Sequence, residues 1–167
     1  MPEMTLRSTS TEETARIGRV LGGLLAPRDV LLLTGDLGAG KTHLTQGIAA
    51  GLDVTEQVTS PTFNLELVYE GGRLVLYHFD LYRLEDEDQL EQIDFFGVAD
   101  SGGVTVVEWG DRFAAVEQIA TLGIELSFVS EDARELRLRA LDERGDALLE
   151  ALRVHLVLEK AHDYVAD

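Results

Sequence analysis

The segment Gly35-Asp36-Leu37-Gly38-Ala39-Gly40-Lys41-Thr42 constrains this chain most, because it fits G-x-x-x-x-G-K-[ST], the P-loop pattern for a nucleoside triphosphate. Gly35, Gly38 and Gly40 permit backbone dihedrals closed to residues with a Cβ, so successive N–H groups can turn inward around a phosphate. Lys41 sets a compact ammonium against the outer phosphates, and the Thr42 hydroxyl is a hard oxygen ligand suited to Mg²⁺. The flanks supply the order the motif demands. Val30-Leu31-Leu32-Leu33-Thr34 is a continuous apolar run that reads as a buried parallel strand. Beyond the loop, Leu44, Ile48 and Ala49 recur at helical spacing, and the start of that helix aims its free N–H groups at a bound anion.

A chain of 167 residues suits one α/β domain, spanning 1–167, with a core large enough to need no staples. It holds no cysteine, which excludes disulfides, thiol nucleophiles and zinc–thiolate sites. No apolar run approaches the roughly 18 residues of a membrane span. Residues 1–10 lack the basic start and apolar core of a signal peptide, so a cytoplasmic protein without membrane contact is expected. The net charge of −17 argues against an independent grip on nucleic acid, where phosphate contacts supply most of the affinity. Of its 14 basic residues only Lys41 and Lys160 are lysines; at the P-loop a three-donor ammonium fits where a planar guanidinium would not.

Along the chain, Thr9-Ser10-Thr11-Glu12-Glu13-Thr14 offers N-cap hydroxyls followed by acids of a first helical turn. Ile17, Leu21, Leu24 and Leu25 continue as an apolar stripe, giving an amphipathic helix that ends near Gly22-Gly23 or Pro27. It covers the sheet, and its short run into the P-loop strand puts its start within reach of a nucleotide. Gly51 is the expected C-cap of the P-loop helix. Next comes Val58-Thr59-Ser60-Pro61-Thr62-Phe63, which has two readings. It is a switch segment ordered by γ-phosphate and metal, or a proline-initiated entry to the next strand.

Strands over 63–69 and 74–79 form a hairpin around Glu70-Gly71-Gly72-Arg73. The second leads into Tyr77-His78-Phe79-Asp80-Leu81-Tyr82-Arg83, where an extended chain puts His78, Asp80 and Tyr82 on one face. Residues 84–92 read as an acidic surface helix, and Asp94-Phe95-Phe96-Gly97 brings two aromatics suited to core or to a partner surface. Gly103-Val104-Thr105-Val106-Val107-Glu108-Trp109 is a second buried strand ending in an acid, in the manner of a Walker B strand. Two strands thus end in carboxylates, Asp80 and Glu108, and the pattern alone leaves open which meets a metal. Residues 122–129 and 135–141 alternate as two more strands around Glu131-Asp132-Ala133-Arg134, with Arg134 exposed, and 146–158 form a closing helix.

Four of these blocks, in this order and spacing, resemble the TsaE (YjeE) family of bacterial P-loop ATPases in tRNA threonylcarbamoyladenosine biosynthesis. They are the P-loop, Ser60-Pro61-Thr62-Phe63, His78-Phe79-Asp80-Leu81-Tyr82-Arg83 and Glu108-Trp109. The resemblance implies a P-loop NTPase fold with a central, mostly parallel sheet and added antiparallel strands, flanked by helices. It implies ATP/ADP and Mg²⁺ as cofactors, slow hydrolysis alone, and partnership with a TsaD-type threonylcarbamoyl transferase and its TsaB-type paralogue. tRNA would be met only through that complex.

By position, the family likeness assigns Leu37, Gly38, Ala39, Gly40, Lys41 and Thr42 to the phosphates, and Thr42 and Glu108 to the metal. It makes Asp80 a catalytic or water-positioning acid beside Lys41 and Glu108. Ser10, Thr11 and Arg134 are placed near the nucleotide, Thr59, Ser60, Pro61 and Thr62 form the switch loop, and Trp109 is a reporter or partner contact. His43 stands where family members often carry a hydroxyl. Other P-loop classes fit less well. A small-molecule kinase would need a lid, and no lid-like insertion accompanies Arg83 or Arg112. A GTPase would need N-K-x-D, whereas the chain's one asparagine, Asn64, has no lysine after it. A nucleotide-gated assembly factor with incidental hydrolysis shares every feature above.

Overall fold

A computed structural model describes residues 2–36, 38–61 and 64–166, with side chains through Glu159. Leu37, Thr62 and Phe63, singled out above, lie outside the described residues. The apolar run before the P-loop forms β2 (Val30–Gly35), buried on both faces as a central strand must be. Leu31 and Leu33 enter one hydrophobic cluster, and Val30 and Leu32 enter the other.

Around β2 the sheet runs in the order β1 (Glu3–Ser8), β7 (Arg134–Ala140), β6 (Leu122–Phe128), β2, β5 (Val104–Glu108), β4 (Leu76–Asp80) and β3 (Glu66–Tyr69). The middle strands β6, β2, β5 and β4 pair in parallel, while β1, β7 and β3 join antiparallel at the edges. This is the expected parallel centre with antiparallel additions. Helices cover both faces: α1 (Thr11–Leu24), α2 (Lys41–Gly51) and α6 (Glu143–Ala166) pack on the first cluster. The short α3 (Asp88–Gln92), α4 (Phe95–Ala99) and α5 (Ala114–Ile119) pack on the second. No helix among the described residues is long and apolar enough to cross a membrane.

The contact that positions the P-loop helix is a backbone one. A Cβ at Gly22 of α1 would sit 2.2 Å from the Ile48 carbonyl oxygen, and one at Gly47 of α2 would sit 2.1 Å from that of Ala15. Helix α1 ends at Leu24, next to Gly22-Gly23 as expected, and Gly22 in its last turn also lets the two helices touch. Strand β1, not anticipated, anchors the start of α1: the Ser8 hydroxyl lies 2.7 Å from both the Ser10 carbonyl oxygen and the Thr14 hydroxyl. Its alternation is short, with Met4 and Leu6 packed inward and Ser8 buried between polar neighbours.

Other boundaries differ for local reasons. The acidic stretch 84–92 is helical only over Asp88–Gln92, because the Gln89 amide oxygen accepts the Glu85 and Asp86 N–H groups and ties the preceding residues into a cap. Of the two aromatics after it, Phe95 is core: it is fully buried and meets Phe79 edge-on at 5.0 Å. The closing helix starts at Glu143, earlier than expected, because Asp142 accepts the Gly145 N–H at 2.7 Å.

Because the atom facing Gly47 is backbone, Gly47→Ala has no flexible neighbour to displace. We expect a stability loss of about 1–3 kcal/mol, seen as a lower urea midpoint with an unchanged slope.

Candidate active site

β2 delivers the chain to the P-loop, which re-enters helix through Gly40 at φ 104°, a conformation L side chains rarely adopt. Gly40 gives α2 no side-chain cap, so the helix's first N–H groups have no side-chain acceptor at that position. They border a cleft of about 620 Å³ lined on this side by Gly38, Gly40, Lys41 and Thr42. Amides at a helix start with no side-chain cap, beside a lysine, make an anion site.

Parallel pairing brings the two acids to that cleft. In β5, Glu108 stands opposite Leu33 of the P-loop strand; in β4, Asp80 stands opposite Glu108. Both line the cleft, and both are only 5% exposed. The structure separates them by their partners. Glu108 Oε1 lies 3.6 Å from Lys41 Nζ, and Glu108 Oε2 lies 2.7 Å from His78 Nε2. Asp80 Oδ1 instead accepts the Tyr82 N–H at 2.9 Å, which fixes the turn leaving β4. Trp109 follows Glu108 with φ 65°, and this left-handed turn lays its ring 5.2 Å from Lys41 Nζ and 5.0 Å from Tyr82. Lys41 is thus held between a carboxylate and an aromatic face.

The remaining candidates divide. Thr11, Ser60, Trp109 and Arg134 line the cleft, as does His43. Ser10 and Ala39 are not among its lining residues: the Ser10 hydroxyl caps α1 by accepting the Glu13 N–H at 3.0 Å, and Ala39 is buried. In the switch segment, the Thr59 N–H donates to the Tyr69 hydroxyl at 3.2 Å, the Val58 carbonyl accepts from Gln46 at 3.1 Å, and Pro61 is buried. The segment therefore enters the cleft from an anchored start.

Arg134 corrects its sequence reading. It is not a freely exposed turn residue; it is half-buried, stacked over Phe128 with 4.7 Å from Cζ to the ring centroid. It donates from Nε to the Ala39 carbonyl and from Nη2 to the Gly38 carbonyl, each at 3.1 Å. The residue sequence reasoning left unexplained is His78. Its place on one face with Asp80 was legible, but its reach to Glu108 needed the pairing of two distant strands.

The donor set fits Mg²⁺. Thr42 and Glu108 offer hard oxygens in one cleft, and among the described residues no group of three or more His, Cys, Asp or Glu could cage a metal alone. An ion held by few protein oxygens, with phosphate oxygens and water completing its shell, suits that set.

A family model described as "Threonylcarbamoyl adenosine biosynthesis protein TsaE" matches residues 8–136, from the end of β1 into β7. The chain belongs to the TsaE family. A Bacillus subtilis relative named tRNA threonylcarbamoyladenosine biosynthesis protein TsaE is 39% identical over 157 residues, 93% of this chain and 97% of the relative. The protein of that name from Treponema pallidum is 43% identical over 129 residues, 77% of this chain and 95% of its own. A crystal structure of Bacillus subtilis YdiB superposes with a TM-score of 0.76 at 35% identity, covering 92% of this chain and 96% of the other. The TsaE match spans all four sequence blocks, and the fold expected of the family is the one observed.

Arg134 props two carbonyls of the P-loop, those of Gly38 and Ala39. Arg134→Ala should weaken ADP binding by about 1–2 kcal/mol, roughly 5–30-fold, in a calorimetric titration, with α-helical content unchanged by circular dichroism.

Proposed function

We propose that this TsaE-family chain is a cytoplasmic, Mg²⁺-dependent ATPase of tRNA threonylcarbamoyladenosine biosynthesis, weak alone and working with a TsaD-type transferase and its TsaB-type paralogue. tRNA is met through those partners, in keeping with the net charge of −17. The observation that carries the reading is the convergence of Lys41, Thr42, Asp80 and Glu108 on one cleft at the P-loop. The names of the relatives supply the pathway.

The chemistry follows from those groups. The amides of Gly38, Gly40 and the start of α2, with Lys41, stabilise the charge that builds on the β- and γ-phosphates as the bond to the leaving oxygen lengthens. Thr42 and Glu108 would hold Mg²⁺ there, and the ion would neutralise phosphate charge. Asp80, fixed through its Oδ1 by the Tyr82 N–H, orients or deprotonates the attacking water. Entry of a triphosphate gives Lys41 a stronger partner than Glu108 and draws it off the Trp109 face.

One further feature supports slow intrinsic turnover. Among the described residues the only arginine lining the cleft is Arg134, and its guanidinium is already committed to Gly38, Ala39 and the carbonyls of Ser130, Glu131 and Ala133. Among the described residues lining the cleft, no arginine is left uncommitted in cis to meet the transition state, a contribution of about 10³–10⁵ in rate where one is supplied. The partner complex is where it would come from.

The test is an ATPase assay of the chain alone, then with both partners, then with tRNA. Stimulation by the partners is expected, and fast turnover by the isolated chain would refute the reading. Within the complex, Lys41→Ala should lose nucleotide binding, while Glu108→Ala should keep ADP binding in EDTA and lose roughly 10²–10³ in hydrolysis. If Glu108→Ala still supports repeated rounds of tRNA modification, the nucleotide gates assembly and its turnover is incidental.

A further inference from the structure

His78 has no place in the mechanism above, yet it is fully buried in the middle of β4. Across the parallel pairing it stands opposite Val106, and its imidazole reaches diagonally toward the strand end to bring Nε2 within 2.7 Å of Glu108 Oε2. A carboxylate oxygen accepts, so Nε2 carries the proton and donates it. Nδ1 is buried with no partner among the described residues, so Glu108 is the ring's one polar contact.

As a core-filling residue this is a poor choice. Leu76, two positions earlier on the same face, is equally buried, and an apolar side chain at 78 would leave no ring nitrogen unsatisfied. The imidazole is explained by what it does to Glu108. A carboxylate facing Lys41 alone could rotate and offer either or both oxygens to the ammonium. With Oε2 engaged by His78, Oε1 is the oxygen left toward Lys41 and the cleft, 3.6 Å from Nζ.

We propose that His78 is a positioning residue: its Nε2–H holds the Glu108 carboxylate in the orientation that presents one oxygen to the Mg²⁺–nucleotide complex. Groups that orient a metal ligand from behind are typically worth about 10–100-fold in metal affinity. The inference rests on the proposed role of Glu108 and adds a donor that role requires.

The experiment compares His78→Leu, which removes the donor but fills the space, with His78→Gln, whose amide nitrogen follows the position of Nε2. ADP binding is measured by calorimetry in EDTA and in Mg²⁺, and Mn²⁺ affinity in the presence of ADP by electron paramagnetic resonance. His78→Leu should fold but melt below the wild type, because buried Glu108 Oε2 loses its donor, and it should bind ADP in EDTA within about 2-fold of wild type. Its Mn²⁺ affinity should fall by about 10–100-fold, and His78→Gln should recover most of that loss. In a Glu108→Gln background, His78→Leu should cause no further loss of metal affinity.

Unchanged metal affinity in folded His78→Leu overturns the inference, as do additive losses in the double variant. If the leucine variant does not fold, His78→Asn replaces it, since its amide follows Nδ1 and cannot reach Glu108; wild-type metal affinity there is equally fatal. A wild-type chain whose ADP binding ignores Mg²⁺ would instead refute the metal role of Glu108, and the inference with it.

Discussion

The carboxylate of Glu108 is the group on which the rest of the site depends. Burying an ionised carboxylate costs several kcal/mol, and that cost is tolerable only where donors meet both oxygens. Here the ammonium of Lys41 faces one and the imidazole of His78 the other, from a loop and from a neighbouring strand. The three residues lie far apart in sequence and meet because β2, β5 and β4 are parallel neighbours with registered ends. A one-residue slip of β5 would turn Glu108 to the opposite face, where Val107 now packs, and leave Lys41 and His78 without an acceptor. Register, buried charge and phosphate chemistry are one constraint here, seen at three scales.

That constraint requires the P-loop helix to be fixed as firmly as the strands. The α1–α2 contact does this through small residues, because backbones in van der Waals contact leave no side chain whose rotamer change could let α2 slide. The same contact brings Thr11 to the cleft, since β1 and the Ser8 hydroxyl pin the start of α1 next to the start of α2. On the opposite flank, Arg134 grips the loop by its carbonyls from the first residue of β7. The glycine-rich loop, the most permissive stretch of backbone in the chain, is held from both sides.

The parts of this architecture legible in the sequence are those written in local pattern. The P-loop, the buried run of β2, the strand ending at Glu108 and the helical spacing after Lys41 each announce themselves within about ten residues. The parts that were not legible depend on long-range pairing. The close approach at Gly22 and Gly47 has no local sign until two helices are laid together. Arg134 looks like a solvated turn residue until the β6–β7 hairpin folds it over the P-loop. His78 carries no sign of its partner, because the 30 residues separating it from Glu108 become an adjacent strand only in the fold. Strand β1 failed for another reason: Met4 and Leu6 alone are too few apolar residues to outweigh the polar ones between them.

The commitment of Arg134 bears on how such a chain is controlled. An arginine that holds its own P-loop stabilises the bound ground state and the transition state alike, and uniform binding of this kind raises affinity without raising the rate. The cleft's other fixed cation, Lys41, is shared between Glu108 and the Trp109 face until phosphate arrives. Under the proposed reading, the isolated chain therefore takes up nucleotide in a well-formed cradle whose amides and Lys41 meet the building charge, while no uncommitted arginine among the described cleft residues adds to them. Tyr82 and Trp109, at 56% and 37% exposure, sit at the mouth of that cleft as a tilted aromatic pair, their ring planes 58° apart. A partner covering this pair would exclude water from the phosphates and approach Lys41 and Glu108 from the open side. Under the proposed reading, contact at the mouth and acceleration of the chemistry would then be a single event.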